Sequence, residues 1–230
     1  MMIQIAKYWD KQAEIWKSEK QTALEQSETF HWLQFFRQAF GSKPLDIVEL
    51  GTATGYFSIL MSKLNHRVTA IDISPRMIAT AITEAERLKC KIDFKVMDAQ
   101  KPDLPSDHFN VVFTRLLTWT LPDVEAFYRE CFRVLKPGGI LLNFDGNFGK
   151  CRFSQDGHET YPKEIMEEAN TIKAQLPING KDRPDYDLNV LGSVGFEAVT
   201  ADNNIQDNIL KKKGSGLFLV KAIKPRVSPF

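Results

Sequence analysis

Two short segments place residues suited to ligand binding at the ends of predicted strands. The first, Glu49-Leu50-Gly51-Thr52-Ala53-Thr54-Gly55, connects a strand to a helix. A glycine there lets backbone approach a ligand closely, and the free N–H groups of the helix start favour an anion. The second is Asp72, which ends the next strand and could accept hydrogen bonds from both hydroxyls of a ribose. The two glycines by themselves equally fit a tight structural turn, but Asp72 favours a nucleoside site.

Further candidate side chains follow the fourth and fifth predicted strands. Trp119 could form a wall of a ligand pocket or stack on a cation, and Asp145 and Asn147 could orient or deprotonate a ligand. His158 and Tyr161 lie in the polar segment that comes next, where His158 is the histidine best placed for acid–base work. Each has a structural alternative, namely packing at a helix entry, a hydrogen-bonded turn, or a solvent-facing loop. No histidine has metal-ligand spacing with a cysteine or acid, so no metal site is expected.

The elements that position these residues alternate between strands and helices. Strands are predicted at 45–50, 67–72, 92–97, 109–114, 140–144, 196–200 and 217–223, the last two joined by a polar loop as in a hairpin. Ser74 and Pro75 form the start of one connecting helix, and Asp123 caps another. The alternation predicts an α/β fold, a Rossmann-like, doubly wound, seven-stranded, mostly parallel sheet with an antiparallel last strand. Such a sheet binds ligands beyond the carboxyl ends of its strands.

The flanking segments complete a single domain over residues 1–230. Helical spacing over 3–18 and 28–40 predicts an N-terminal helical lid (1–42), in which Tyr8, Trp9 and Trp16 share an aromatic face. Packing on the flank of the sheet explains that face equally well. Residues 148–184 interrupt the alternation with a polar stretch around one helix, 163–176, and are expected to form a cap over the strand ends.

Composition narrows the class of partner. The formal net charge is +1, so no electrostatic footprint for nucleic acid is expected. The three cysteines are scattered and the N-terminus has charges among its apolar residues, so we expect a cytoplasmic protein without a disulfide framework or a secretory signal. No membrane span is expected. The oligomeric state, monomer or homodimer, stays open.

The motifs resemble those of the class I S-adenosylmethionine-dependent methyltransferases, in particular the small ubiquinone-biosynthesis-like branch. The resemblance covers residues 6–146 well and 183–223 more loosely. It rests on the segments Tyr8-Trp9-Asp10, Glu49–Gly55, Asp72–Met77, Asp98-Ala99, Phe109–Phe113 and Arg133–Gly139. It departs from the family at Ala53, where a glycine is usual and where a negative φ would make the methyl group tolerable, and at Asn110, where an acid is usual.

The resemblance implies how S-adenosylmethionine would be bound. Backbone at Gly51, Thr52 and Ala53 would line its methionine part, and Glu49 would lie near its ammonium. Asp72 would hold the ribose hydroxyls. The adenine would pack on Ile73 and Met77 and would donate a hydrogen bond from its amino group to Asp98, beside Ala99. Thr114 and Arg115 would border the methionine chain and the methyl group.

The expected activity is methyl transfer to an O, N, S or C nucleophile of a small molecule by in-line displacement. Tyr8, Trp119, Asp145, Asn147 and Tyr161 are the candidate substrate-binding residues, and Asp145 and His158 the candidate catalytic ones. Alignment of the reacting groups supplies most of the rate in such a reaction, so a base is needed only when the nucleophile arrives protonated. Two alternatives remain: a non-catalytic nucleoside-binding or regulatory protein on the same fold, and, less favoured, an NAD-dependent dehydrogenase, which would need G-x-G-x-x-G.

Overall fold

A computed structural model of the chain describes residues 1–154, 161–211, 213–214 and 216–226. Its strands are β1 (Asp46–Leu50), β2 (Arg67–Asp72), β3 (Ile92–Val96), β4 (Phe109–Arg115), β5 (Leu135–Gly146), β6 (Glu197–Asp202) and β7 (Leu217–Ile223). Its helices are α1 (Met2–Leu24), α2 (Ser27–Phe40), α3 (Tyr56–Lys63), α4 (Pro75–Arg87), α5 (Val124–Val134), α6 (Lys163–Gln175), α7 (Asp185–Val194) and α8 (Ile205–Leu210).

The seven strands form one sheet in the order β3-β2-β1-β4-β5-β7-β6. The pairs among β1 to β5 are parallel, and β7 runs antiparallel to both of its neighbours. The predicted doubly wound sheet with an antiparallel last strand is therefore confirmed. The chain reverses its direction across the sheet between β1 and β4, so their carboxyl ends flank the crevice in which such folds bind ligands.

Helices cover both faces of the sheet. One apolar cluster joins the sheet to α5, α6, α7 and the start of α1, and the other joins it to α2, α3 and α8. Two helix starts are capped as the sequence predicts: Ser74 Oγ accepts from Met77 N at 3.0 Å, and Asp123 Oδ1 accepts from Ala126 N at 2.8 Å. No helix among the described residues is both long and apolar enough to cross a bilayer.

Three elements differ from the predicted bounds. Helix α1 continues to Leu24, beyond the predicted end at residue 18, because its last turns also pack, with Ala23 buried. Strand β5 begins at Leu135, which pairs with Phe109 before a register shift near Gly138, whose φ is +80°. The loop between β6 and β7 contains α8, since Ile209 packs against the α2 side of the sheet; six residues are too few for helical periodicity to be evident.

Candidate functional site

A cavity opens at the carboxyl ends of the parallel strands, at the expected place. We call it the sheet-edge cavity; its space, with the open mouth included, is about 610 Å³. Its floor comes from the ends of β1, β2 and β4, and helix α1 contributes its other wall through Met2, Ile5, Trp9 and Trp16. The lining includes eight of the residues predicted to bind a cofactor: Gly51, Ala53, Asp72, Ile73, Met77, Asp98, Ala99 and Arg115.

Two carboxylates line this cavity at the ends of adjacent strands. Asp72 accepts from Ser74 N through Oδ1 and from Ala53 N through Oδ2, both at 2.9 Å, which fixes its orientation and leaves lone pairs free on both oxygens. Burial raises its pKa to about 6, against the lowering effect of these bonds. Asp98 is half-buried, and its Oδ1 accepts from Gln100 N at 2.9 Å. The pair can therefore accept hydrogen bonds from hydroxyl or amino groups of one ligand.

Helix α1 is attached beside Asp72. Asp10 Oδ1 accepts from Ser74 Oγ and, at 3.1 Å, from Arg76 N, which joins α1 to the N-terminus of α4. Residues of α1 both line the cavity and enter the core, where Ile5, Tyr8 and Ala13 are buried. Helix α1 therefore packs on the core as the flank alternative predicts, and its role as a lid stays a prediction.

A smaller polar recess adjoins this cavity and shares Trp16, Gly51, Ala53 and Arg115 with it. The Glu49 carboxylate in it is 2% exposed and accepts from the hydroxyls of Thr52, at 2.8 Å, and Ser58. Burial raises the pKa of Glu49 to about 7. The recess thus offers a carboxylate whose charge is only partly compensated by hydroxyl groups.

Two cations, Lys20 and Arg115, line the recess together with Glu49, and the Glu28 carboxylate acts electrostatically on both. Lys20 lies 5.2 Å from the centroid of the Tyr56 ring, and burial, with help from Arg115, lowers its pKa to about 8. Burial also lowers the pKa of Arg115, whose Nε donates to Gln206 Oε1 at 3.2 Å. Neither forms an ion pair within the described ranges of the chain. A carboxylate beside two unpaired cations is the complement of an amino-acid zwitterion.

The turn between β1 and α3 is tighter than expected at Ala53. Its φ is +48°, so the negative φ that would make its methyl group tolerable is not present. The reason is that Ala53 N must point at Asp72 Oδ2, and the left-handed conformation aims it there. At the other departure, Asn110 Oδ1 accepts from Asp46 N at 2.9 Å and so binds β4 to β1.

A second, larger cavity lies on the other side of the Trp9 and Trp16 rings. This aromatic cavity lies between α1, the turn after β4 and the segment 148–184, and its space, with the open mouth included, is about 930 Å³. Three of the predicted substrate-binding residues, Tyr8, Trp119 and Tyr161, line it. Trp119 is edge-on to Phe148 and Phe153, with ring centroids 5.6 and 5.3 Å away.

Other predicted residues lie outside these cavities. Asp145 is fully buried and accepts from Thr118 Oγ1, from Trp119 N at 3.2 Å and from Gly146 N at 2.8 Å, and its Oδ2 lies 3.4 Å from Arg183 Nη1. Burial raises its pKa, but its oxygens are in use and face neither cavity, so the structure does not bring it to a substrate.

Asn147 and Thr114 are likewise away from the cavity linings. Asn147 donates to Arg183 O at 3.4 Å, as in the turn alternative. Thr114 is fully buried in β4, on the face opposite to its neighbour Arg115 because side chains alternate along a strand. His158 lies outside the described residues.

Sequence reasoning missed several lining residues, of which Lys20 matters most. It lies four residues after Trp16, one helical turn along the same face of α1, and this spacing would have indicated it had the helix been extended past residue 18. Met97, Leu116, Leu117, Thr120 and Leu121 complete the apolar walls of the sheet-edge cavity. Their spacing in the sequence is indistinguishable from that of core residues.

Comparisons with known proteins agree with this geometry. A methyltransferase domain model matches residues 48–143. Phosphoethanolamine N-methyltransferase 3 of Arabidopsis thaliana is 35% identical over 46% of this chain and 21% of its own length. A ubiquinone biosynthesis O-methyltransferase of Paramagnetospirillum magneticum is 30% identical over 43% of this chain and 39% of its own length. The chain thus spans about a fifth to two fifths of these curated relatives.

The fold is shared with solved methyltransferases over much more of the chain. A SAM-dependent methyltransferase from Aquifex aeolicus superposes with a TM-score of 0.60 over 90% of this chain and 98% of its own, at 20% identity. Both the domain match and the resemblance noted in the sequence centre on the strands that end at the sheet-edge cavity. The chain is therefore similar to methyltransferases in sequence over residues 48–143, and it shares the fold of a solved S-adenosylmethionine-dependent methyltransferase.

Proposed function

We propose that this chain transfers the methyl group of S-adenosylmethionine to a small-molecule acceptor. The observation that supports this best is the junction of two complementary sites. Asp72 and Asp98 line a cavity suited to a nucleoside, and Glu49, Lys20 and Arg115 line the adjoining recess suited to an amino acid. A nucleoside joined to an amino acid matches both sites at once, whereas a nucleoside by itself leaves the half-buried Lys20 and Arg115 without an ion-pair partner.

The residues present fit the cofactor group by group. Asp72 has the free lone pairs to accept from two ribose hydroxyls, and Asp98 lies at the next strand end to accept from the adenine amino group. Glu49 would pair with the ammonium, and Lys20 and Arg115 with the carboxylate of the methionine part. Ile73 and Met77 supply apolar surface for the base.

The cofactor supplies a methyl group on a sulfonium, which is already a good leaving group. The chain therefore has to align the acceptor and to exclude water, and alignment can contribute roughly 7–11 kcal/mol. Trp9, Trp16 and Leu116 line both the sheet-edge and the aromatic cavity, so they border the passage between cofactor and acceptor. Helix α1, which Asp10 ties to Ser74 and Arg76, would be the lid that excludes water in the proposed reaction.

A small-molecule acceptor is favoured over nucleic acid by the near-zero net charge of +1. Cys90, Cys131 and Cys151 are unpaired thiols, in keeping with a cytoplasmic setting. The names of two relatives also support a small-molecule acceptor, because they refer to phosphoethanolamine and to ubiquinone biosynthesis. A dehydrogenase would need a pyrophosphate cradle, and the recess instead contains Glu49, which would repel a phosphate.

Calorimetric titration with S-adenosylmethionine and S-adenosylhomocysteine tests this proposal. We expect dissociation constants in the micromolar range, worth about 8 kcal/mol. Asp72→Ala should weaken binding by about 1–3 kcal/mol, as expected for lost hydrogen bonds to a charged group. Asp93→Ala is the matched control, because Asp93 is an exposed carboxylate on the neighbouring edge strand, outside the cavities. Wild-type affinity in Asp72→Ala, or binding of NADH in place of both ligands, would refute the proposal.

A further inference from the structure

The aromatic cavity differs from the sheet-edge cavity in what its walls can bind. Its rings come from three separate parts of the chain: α1, the turn after β4, and the cap. Trp9 connects the groups, with ring centroids 5.8 Å from Trp16 and 6.2 Å from Trp119. Walls of indole and phenyl rings around a space of about 930 Å³ suit a flat apolar molecule, because ring edges and faces pack on one another favourably.

Charge is scarce in the lining. Among the described residues that line the cavity, Glu19 is the one with a charged side chain, and it is exposed and accepts from Tyr161 OH at 3.0 Å. Lys173 packs on Phe153 but donates to the backbone carbonyls of Phe148, at 2.8 Å, and Cys151. Residues 155–160, which precede Tyr161, include no lysine or arginine. A phosphorylated acceptor would find no counter-cation in these walls.

Two buried N–H donors in the lining lack acceptors. Gln12 is 2% exposed, and its Nε2 lies beside the Tyr8 hydroxyl. This Nε2 makes no hydrogen bond of good geometry within the described part of the chain. Trp16 Nε1 is also without an acceptor there. Indole N–H is a donor and never an acceptor, so its complement is an oxygen or another lone pair on a ligand. An amine cation would bring further donors and satisfy neither group.

We infer that the acceptor is an uncharged aromatic or similarly planar molecule with a hydroxyl or carbonyl oxygen directed at Gln12 and Trp16. This inference rests on the proposed function, because Trp16 also lines the sheet-edge cavity, where the methyl group would be presented. It separates this chain from its relatives named for phosphoethanolamine. Gln12 and Trp16 are then specificity-determining residues, and the aromatic walls select the ring.

Three probes test the inference by calorimetry on the full chain saturated with S-adenosylhomocysteine. They are 2-naphthol, naphthalene, which is the same ring without the oxygen, and phosphoethanolamine. We expect 2-naphthol to bind about three- to tenfold more tightly than naphthalene, as for one hydrogen bond, and phosphoethanolamine not to bind. Equal affinity for the two ring compounds, or binding of phosphoethanolamine in place of 2-naphthol, would overturn the inference without any variant being needed.

Variants then assign the preference to residues. Trp16→Phe keeps a ring and removes the N–H, so it should lower the 2-naphthol affinity about three- to tenfold and leave that of naphthalene within about twofold; Gln12→Leu should do the same. Trp119→Ala should weaken both ring compounds about tenfold. Phe30→Ala, at a 55% exposed position outside the cavities, is the control and should change neither. A Trp16→Phe protein that still prefers 2-naphthol would also overturn the inference. Failure to bind S-adenosylhomocysteine would instead refute the proposed function.

Discussion

The affinity for S-adenosylhomocysteine is expected to fall about tenfold when the pH is lowered from 8 to 6. The cause is Glu49, whose pKa is raised to about 7 by burial. Only the ionised carboxylate can pair with the ligand's ammonium, and in that recess it has hydroxyl groups but no cation bonded to it. Binding therefore selects the ionised form and must release protons in this pH range.

The magnitude follows from the ionised fraction. With a pKa of about 7, Glu49 is roughly 90% ionised at pH 8 and roughly 10% at pH 6, a difference worth about 1.4 kcal/mol of binding free energy. Protonation of Asp72, whose pKa is about 6, weakens ribose binding by a further factor of about two at pH 6. Lys20, whose pKa is about 8, opposes this by a similar factor, because it is about half neutral at pH 8 and fully charged at pH 6. At pH 7 binding should release about half a proton from Glu49.

Calorimetry at pH 6, 7 and 8, in two buffers with different ionisation enthalpies, measures both the affinity and the proton release. Glu49→Gln is the matched variant, since an amide keeps the size and the hydrogen bonds with Thr52 and Ser58 and cannot titrate. Its affinity should be lower at pH 8 and should change no more than about twofold down to pH 6.

Linkage gives a second readout of the same group. Because its folded-state pKa is raised, Glu49 contributes stability below its unfolded value near 4.5 that is lost as the pH rises through 7. The ammonium offsets this loss, so the ligand-induced rise in Tm should grow from pH 6 to pH 8. A pH-independent affinity in the wild-type protein, or a tenfold change retained in Glu49→Gln, would refute this role of Glu49.

Three further changes test separate parts of the structure. Lys20→Met should weaken S-adenosylhomocysteine about tenfold and leave adenosine unaffected in the same titration; an equal loss for both would place Lys20 elsewhere than at the methionine carboxylate. Arg183→Met should lower the free energy of unfolding by about 3–5 kcal/mol, because it leaves two buried carboxylates without a cation. Arg129→Met, at an exposed ion pair, should lower it by less than about 1 kcal/mol. Similar urea midpoints for these two would contradict the buried network. Ala53→Gly should raise stability by about 0.5–1 kcal/mol, by relieving the φ of +48° at some cost in chain entropy; a lower Tm would show that the alanine is not strained.

The parts of the site that local sequence determines could be predicted. Asp72 and Asp98 follow β-rich segments, and the carboxyl ends of parallel strands meet at one edge, so alternation of strands and helices suffices to bring them together. The Ser74 and Asp123 caps depend on their own next three residues and were also correct. Lys20 could not be predicted, because the helical spacing predicts an end at residue 18, whereas α1 continues to Leu24.

The environment of Asp145 could not be predicted, since it depends on a distant partner. Arg183, 38 residues later (183 − 145) and near the end of the segment 148–184, binds both Asp145 and Asp187. Asp187 in turn accepts from Tyr128 OH, so three elements contribute to one buried network. Nothing in the sequence near Asp145 indicates that network, and a carboxylate at a strand end fits a catalytic base equally well.

The most direct test of the account is a crystal structure of the protein with S-adenosylhomocysteine bound. The ribose hydroxyls should lie within hydrogen-bond distance of Asp72, with the amino-acid end between Glu49 and the Lys20 and Arg115 cations. A ligand bound away from the ends of β1 and β2, or one whose amino-acid end points into solvent, would contradict it.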